Sequence, residues 1–126
     1  LDSIRFAPRL SDVRPLLSEI DLGIITSIRS EAVCRIALEY MAYSKPIIST
    51  DVNILPEVVH DGVNGWCVPV GDSHAIAAAL REGIKNREVL AKRGKQGRKI
   101  LEEHFTLERQ TAQTIDLYKK VISRHA

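Results

Sequence analysis

Apolar positions along the chain change their spacing several times, and each change predicts an element. Ile4-Arg5-Phe6-Ala7 predicts a short strand, and Ser11-Asp12 a cap for a helix over 13–19 with Pro15 in its first turn. Asp21-Leu22-Gly23-Ile24-Ile25-Thr26-Ser27 is an almost unbroken apolar run without alternation, the mark of a strand covered on both faces in a parallel sheet. Val33, Ile36, Ala37, Tyr40 and Met41 then recur at helical spacing and predict a helix over 32–43. Ile47-Ile48-Ser49-Thr50 follows Lys45-Pro46 as the next strand, and Pro56 opens a short helix over 55–59. Asp61-Gly62-Val63-Asn64-Gly65 is dense turn chemistry. Trp66 to Val70 reads as a last, edge strand, because Pro69 is tolerated only at an edge. Asp72 or Ser73 caps a helix reaching Lys85, and two more helices cover 88–104 and 107–125.

Strands alternating with helices predict an α/β fold: a Rossmann-like, mostly parallel sheet flanked by helices. Such sheets bind ligands beyond the carboxyl ends of their strands. The segments placed there are 7–10, 27–34, 50–56 and 70–72, so any chemistry is expected from those four loops.

Composition narrows the class. With 126 residues, 44% hydrophobic and 27% charged, the chain suits one soluble globular domain. No apolar run approaches the roughly 20 residues of a membrane-spanning helix, and the first residues lack the pattern of a signal peptide. The start without Met predicts a fragment or a processed chain. Cys34 and Cys67 lack metal-ligand spacing and read as small buried apolar residues in a reducing compartment. Residues 1–80 hold 6 Lys and Arg against 10 Asp and Glu, a net −4, and residues 81–126 hold 12 against 6, a net +6. The positive excess belongs to the last helices. It fits either solvated helix faces or attraction to an anionic membrane surface. No aromatic residues interleave with the basic ones, so nucleic acid is not an expected partner. His60, His74, His104 and His125 are scattered and read as surface residues.

The chemistry centres on Glu31 and Glu39. Glu31 precedes the predicted helix over 32–43 and Glu39 lies two turns into it. A helix start at the carboxyl edge of a sheet offers unbonded N–H groups and a positive dipole end, which suit a phosphate. Residues 32–36 would then meet an anionic ligand with a carboxylate on either side. By spacing alone, Glu31 also fits as a helix-start charge and Glu39 as a solvated side chain. Arg35 faces a diphosphate in one reading and is a surface arginine in the other. Ser27 and Thr50 fit both as pocket lining and as plain strand ends.

The run from Ser27 to Thr50, with Ser27, Glu31, Glu39, Met41, Ala42 and Pro46-Ile47-Ile48, resembles the hallmark of the group 1 (family four) glycosyltransferases. That hallmark is a Ser, a Glu, seven residues, a second Glu, then Ala-Met-Ala-x-Gly-x-Pro-Val-Ile. The segment Pro56-Glu57 through Gly71-Asp72 resembles the family's next block, and the likeness extends over the whole chain. It implies the C-terminal, donor-binding domain of a GT-B fold and retaining transfer of a sugar from a nucleotide-sugar donor to an acceptor glycan or glycolipid. Glu31 would contact donor hydroxyls near the anomeric centre and is the catalytic candidate. Ser27 and the backbone of Ala32, Val33, Cys34, Arg35 and Ile36 would hold sugar and diphosphate. Glu39 would bind the ribose, and Pro8, Arg9 and Leu10 would lie along the base. No metal and no cofactor are expected beyond the donor itself.

Three departures stand out. Ala32-Val33-Cys34 replaces the family's Gly-Phe-Gly, Asn53-Ile54-Leu55 stands where the family has a Gly-Gly before Pro-Glu, and Ser44 stands where Gly is commoner. The resemblance also implies that residues 1–126 lack the first two strand-helix units of the domain, and an N-terminal Rossmann-like domain as partner. Strands 4–7 and 22–27 would then face a gap, closed by pairing with each other or by self-association of the exposed edge. The expected place is the cytoplasm, with peripheral contact at the inner face of the membrane during cell-envelope polysaccharide or lipopolysaccharide assembly. Competing readings are a non-catalytic nucleotide-sugar or interaction domain and a sugar-nucleotide epimerase-related domain.

Overall fold

The structure, a computed structural model, describes residues 3–29 and 34–125, the last of them by its backbone alone. Three parallel strands, β1 (Gly23–Ile25), β2 (Ile47–Thr50) and β3 (Gly65–Val68), lie in the order β1-β2-β3. The helices are α1 (Arg14–Glu19), α2 (Arg35–Ala42), α3 (Leu55–Val58), α4 (Ser73–Lys85), α5 (Arg87–His104) and α6 (Leu107–His125). β2 is central, and all four of its residues are buried. Its alternating side chains feed two cores. Ile47 packs with Ile25, Ala37, Met41, Leu55 and Ile100, drawn from β1, α2, α3 and α5. Ile48 packs with Trp66, Val68 and Ala79 on the α4 side. Burying each large aliphatic of this kind stabilises the fold by about 1.5–3 kcal/mol. Helices on both faces explain why β2 carries no polar alternation.

Close packing is set by glycine at particular points. A Cβ at Gly23 would lie 2.3 Å from the Tyr40 ring, so its absence lets α2 lie flat on β1. A Cβ at Gly94 would lie 1.9 Å from the Ser44 carbonyl oxygen, which seats α5 against the end of α2. That end is closed by paired bonds, Ser44 N–H to Met41 O at 3.0 Å and Lys45 N–H to Tyr40 O at 2.9 Å, a Schellman arrangement. Arg98 of α5 adds a donor to the Ala42 carbonyl. Trp66 packs as expected against the later helices: its Nε1 donates to Glu82 at 2.8 Å, and Arg93 stacks over the ring at 3.9 Å.

Several expectations are corrected. Residues 4–7 form no strand, and Phe6 is 94% exposed. A strand needs a ladder partner, and β1 pairs only with β2 among the described residues, so the direct pairing of 4–7 with 22–27 does not occur. Asp12 does not cap α1. The N-cap is Val13, and Asp12 instead accepts from the Arg14 backbone and guanidinium. The last strand stops at Val68, so Pro69 lies just beyond it, where no ladder donor is needed. Cys34 is buried but Cys67 only partly so. Every residue from Leu107 to Arg124 is exposed, among them Ile115, Leu117, Tyr118, Val121 and Ile122, although Gln110 and Gln113 border a cavity with Leu38 of α2.

Candidate functional site at the carboxyl edge of the sheet

The carboxyl ends of the three strands are tied together. Backbone pairing between β1 and β2 ends at Ile25 and Ser49. One residue on, the Thr50 hydroxyl donates to the Ser27 carbonyl at 2.7 Å. Asp51 N–H donates to Val68 O at 3.0 Å, and Asp51 Oδ1 accepts from Val70 N–H at 3.2 Å. The loops that leave this edge therefore start from fixed points. Sequence reasoning left Thr50 between pocket lining and strand end. Its bond to Ser27 depends on a register that no local pattern reveals.

Glu31, Ala32 and Val33 lie outside the described residues. Ser27 is partly buried at the exit from β1. Cys34 is 5% exposed at the N-cap of α2, with φ −91° and ψ 76°. That backbone is open to any L-residue, so losing the family's second glycine there carries no strain. The buried Cys34 side chain leaves only its backbone to meet a ligand. The same holds for Ile36, whose side chain packs against the core. Arg35 is exposed and Glu39 partly buried. They are four apart on α2 and so share a face, while Ala37 and Met41 on the other face are fully buried. Among the described residues Glu39 makes no ion pair. Burial raises the pKa of the neighbouring Tyr40, and the nearby Cys34 and Glu39 add to the rise.

Ser27, Cys34, Arg35 and Ile36 thus lie where the chain leaves β1 and enters α2, while Glu39 lies a turn further along the helix, beside Tyr40, whose ring packs on Gly23 at the start of β1. Pro8, Arg9 and Leu10 are exposed, and no hydrogen bond or ion pair among the described residues joins them to Ser27 or α2. Two cavities, of 110 and 250 Å³, open at the other end of the sheet beside Asp21 and Arg87, lined by none of the candidate residues. Among the described residues no three His, Cys, Asp or Glu converge to hold a metal ion, and no helix is long and apolar enough to cross a membrane.

The family described as glycosyl transferases group 1 matches residues 1–100. The chain belongs to that family. Among curated relatives, this group 1 glycosyl transferase chain is similar to the N-acetyl-alpha-D-glucosaminyl L-malate synthase of Bacillus anthracis. The two are 30% identical over 121 residues, covering 96% of this chain and 32% of that protein. Among solved structures it is similar to HepE of Anabaena in complex with UDP-glucose, with a TM-score of 0.77 and 25% identity over 85% of this chain and 30% of that one. It also shares its fold with the C-terminal domain of the group 1 protein LpcC from Francisella tularensis. There the TM-score is 0.72 at 23% identity, over 82% of this chain and 53% of that one. The parallel sheet flanked by helices is that of the C-terminal domain of GT-B glycosyltransferases. This glycosyl transferase chain spans 28% and 32% of the length of two curated relatives it matches.

Proposed function

We propose that this chain is the donor-binding part of a retaining glycosyltransferase that moves a sugar from a nucleotide diphosphate to an acceptor glycan or glycolipid. One observation carries the proposal: Glu39 is a partly buried carboxylate with no ion pair among the described residues, on a helix whose opposite face is locked into the core. A carboxylate held that way is ready to accept hydrogen bonds from vicinal hydroxyls, as on a ribose. Membership of the family supports the reading, as does the similarity to a protein solved with UDP-glucose.

In this scheme Glu39 takes the ribose, and the N–H groups at the start of α2 face the diphosphate, with Arg35 adding charge. Ala32, Val33, Cys34 and Ile36 hold the sugar and diphosphate through their backbone, and Ser27 and Glu31 meet the sugar side of the donor. The bond from the anomeric carbon to the diphosphate oxygen breaks, leaving its electrons on the diphosphate. An acceptor hydroxyl bonds the same face of that carbon and gives its proton to the leaving phosphate oxygen. Donors fixed around the diphosphate stabilise the charge that develops there. No metal or cofactor takes part.

The remaining parts belong to the same proposal: an N-terminal Rossmann-like domain, two further strand-helix units of this domain, and Pro8, Arg9 and Leu10 along the base. So do a cytoplasmic location with peripheral membrane contact and self-association through the outer edge of β1. Titration with UDP, GDP and ADP tests the core of it. One nucleotide is expected to bind, and Glu39→Ala to weaken it about tenfold or more, the worth of a hydrogen bond to a charged group. Equal binding by the folded variant would remove Glu39 from the site. No binding by the folded full-length protein would end the donor reading.

A further inference from the structure

We infer that Thr50 is a positioning residue for the donor site: its buried hydroxyl holds the Ser27 carbonyl and so sets the direction in which the chain leaves β1. This rests on the donor-site reading of Ser27. The geometry is specific. The ladder between β1 and β2 stops at Ile25 and Ser49, and the next link is made by a side chain, Thr50 Oγ1 to Ser27 O at 2.7 Å. Thr50 is 2% exposed. A β-branched side chain is stiff at its first torsion, so a buried Thr aims its hydroxyl in one direction. Its backbone is held from the far side as well, because the next residue, Asp51, bonds Val68 O through its N–H and Val70 N–H through its carboxylate.

Packing alone does not call for a hydroxyl at this position. Ile47 and Ile48 fill the same strand with hydrocarbon, and Val has the shape of Thr. Ser49 makes the contrast clear. It is also fully buried, yet its hydroxyl has no nitrogen or oxygen partner among the described residues, and it lies toward its registered neighbour Cys67 on β3. Of the two hydroxyls at the end of β2, only that of Thr50 reaches across to β1. A valine there would keep the volume and release the carbonyl of Ser27, a partly buried residue.

The test uses the full-length protein, Thr50→Val and Thr50→Ser. Each is titrated with UDP and UDP-glucose, GDP and GDP-mannose, and ADP and ADP-glucose. For the pair that the wild type binds, Thr50→Val is expected to lose about tenfold in affinity for the nucleotide sugar and less than about twofold for the nucleoside diphosphate. Thr50→Ser, which keeps the hydroxyl, is expected to restore both. A merely structural role would lower the active fraction or weaken both ligands alike, leaving their ratio unchanged. That result, an unchanged Thr50→Val, or a failure of Thr50→Ser to rescue would each overturn the assignment. Should Thr50→Val not fold, Thr50→Ala makes the same comparison. A wild type that binds no member of any pair would instead end the donor reading on which the assignment depends.

Discussion

Ser44 and Asn53 hold left-handed backbone, with φ of 54° and 46°. Both lie where the family pattern has glycine or a glycine pair nearby, so these two departures are sites of local strain rather than of altered shape. A left-handed L-residue costs roughly 1–2 kcal/mol, and Asn tolerates the conformation better than Ser. Ser44→Gly is therefore expected to stabilise the chain by up to about 1 kcal/mol, after the entropy that glycine gains when unfolded. A denaturant midpoint that stays put or falls would refute the strain. Tyr40 gives a second prediction. Burial raises its pKa above 10.0 in the folded state. The folded chain therefore keeps the phenol proton more tightly than the unfolded chain does. The associated stability is complete below pH 10 and is lost as pH rises through the folded value. Urea unfolding followed from pH 8 to 11 is expected to show this alkaline loss, reduced in Tyr40→Phe.

At the level of elements, α4 and α5 are joined through side-chain caps. Asp72 accepts from Ala75 N–H at 2.9 Å. Asn86 ends α4 and starts α5, accepting from Glu88 and Val89 N–H. Asp72→Ala is expected to cost about 1 kcal/mol in thermal or denaturant unfolding, and no change would mean that water replaces the cap. This cap was legible in advance because Asp72 directly precedes a helical apolar pattern. β2 was legible to the residue, since Lys45-Pro46 marks its start and Ile47, Ile48 and Thr50 are β-branched. The Ile4-Phe6 alternation misled for a physical reason: a strand is defined by its partner, and local pattern carries no information about whether one exists. The same limit applies to the site. The helix that carries Glu39 followed from spacing and the role proposed for Glu39 only from the family resemblance, whereas the bond between Thr50 and Ser27, 23 residues apart, needed the register of two strands.

Across the whole molecule, stability and charge are distributed unequally. The two cores lie around β2, and every residue of α6 from Leu107 to Arg124 is exposed. Removing residues 107–126 is accordingly expected to leave the melting temperature of this chain within about 4 °C, a change below 1 kcal/mol for a domain of this size. A larger fall would show that Leu107, Ile115 or Tyr118 contributes to packing after all. The order β1-β2-β3 has a further consequence for how the molecule breathes. Among the described residues β2 alone is laddered on both sides, so its amides open only when the sheet separates. Under native conditions in deuterated solvent they are the last protons to leave. The amides of α6, which depend on a helix with no buried face, leave in the first moments. The proposed donor loop leaves β1 at Ser27, which is tied to Thr50 at the end of β2. Its anchor therefore opens with the slowest part of the molecule rather than with the fast surface around it.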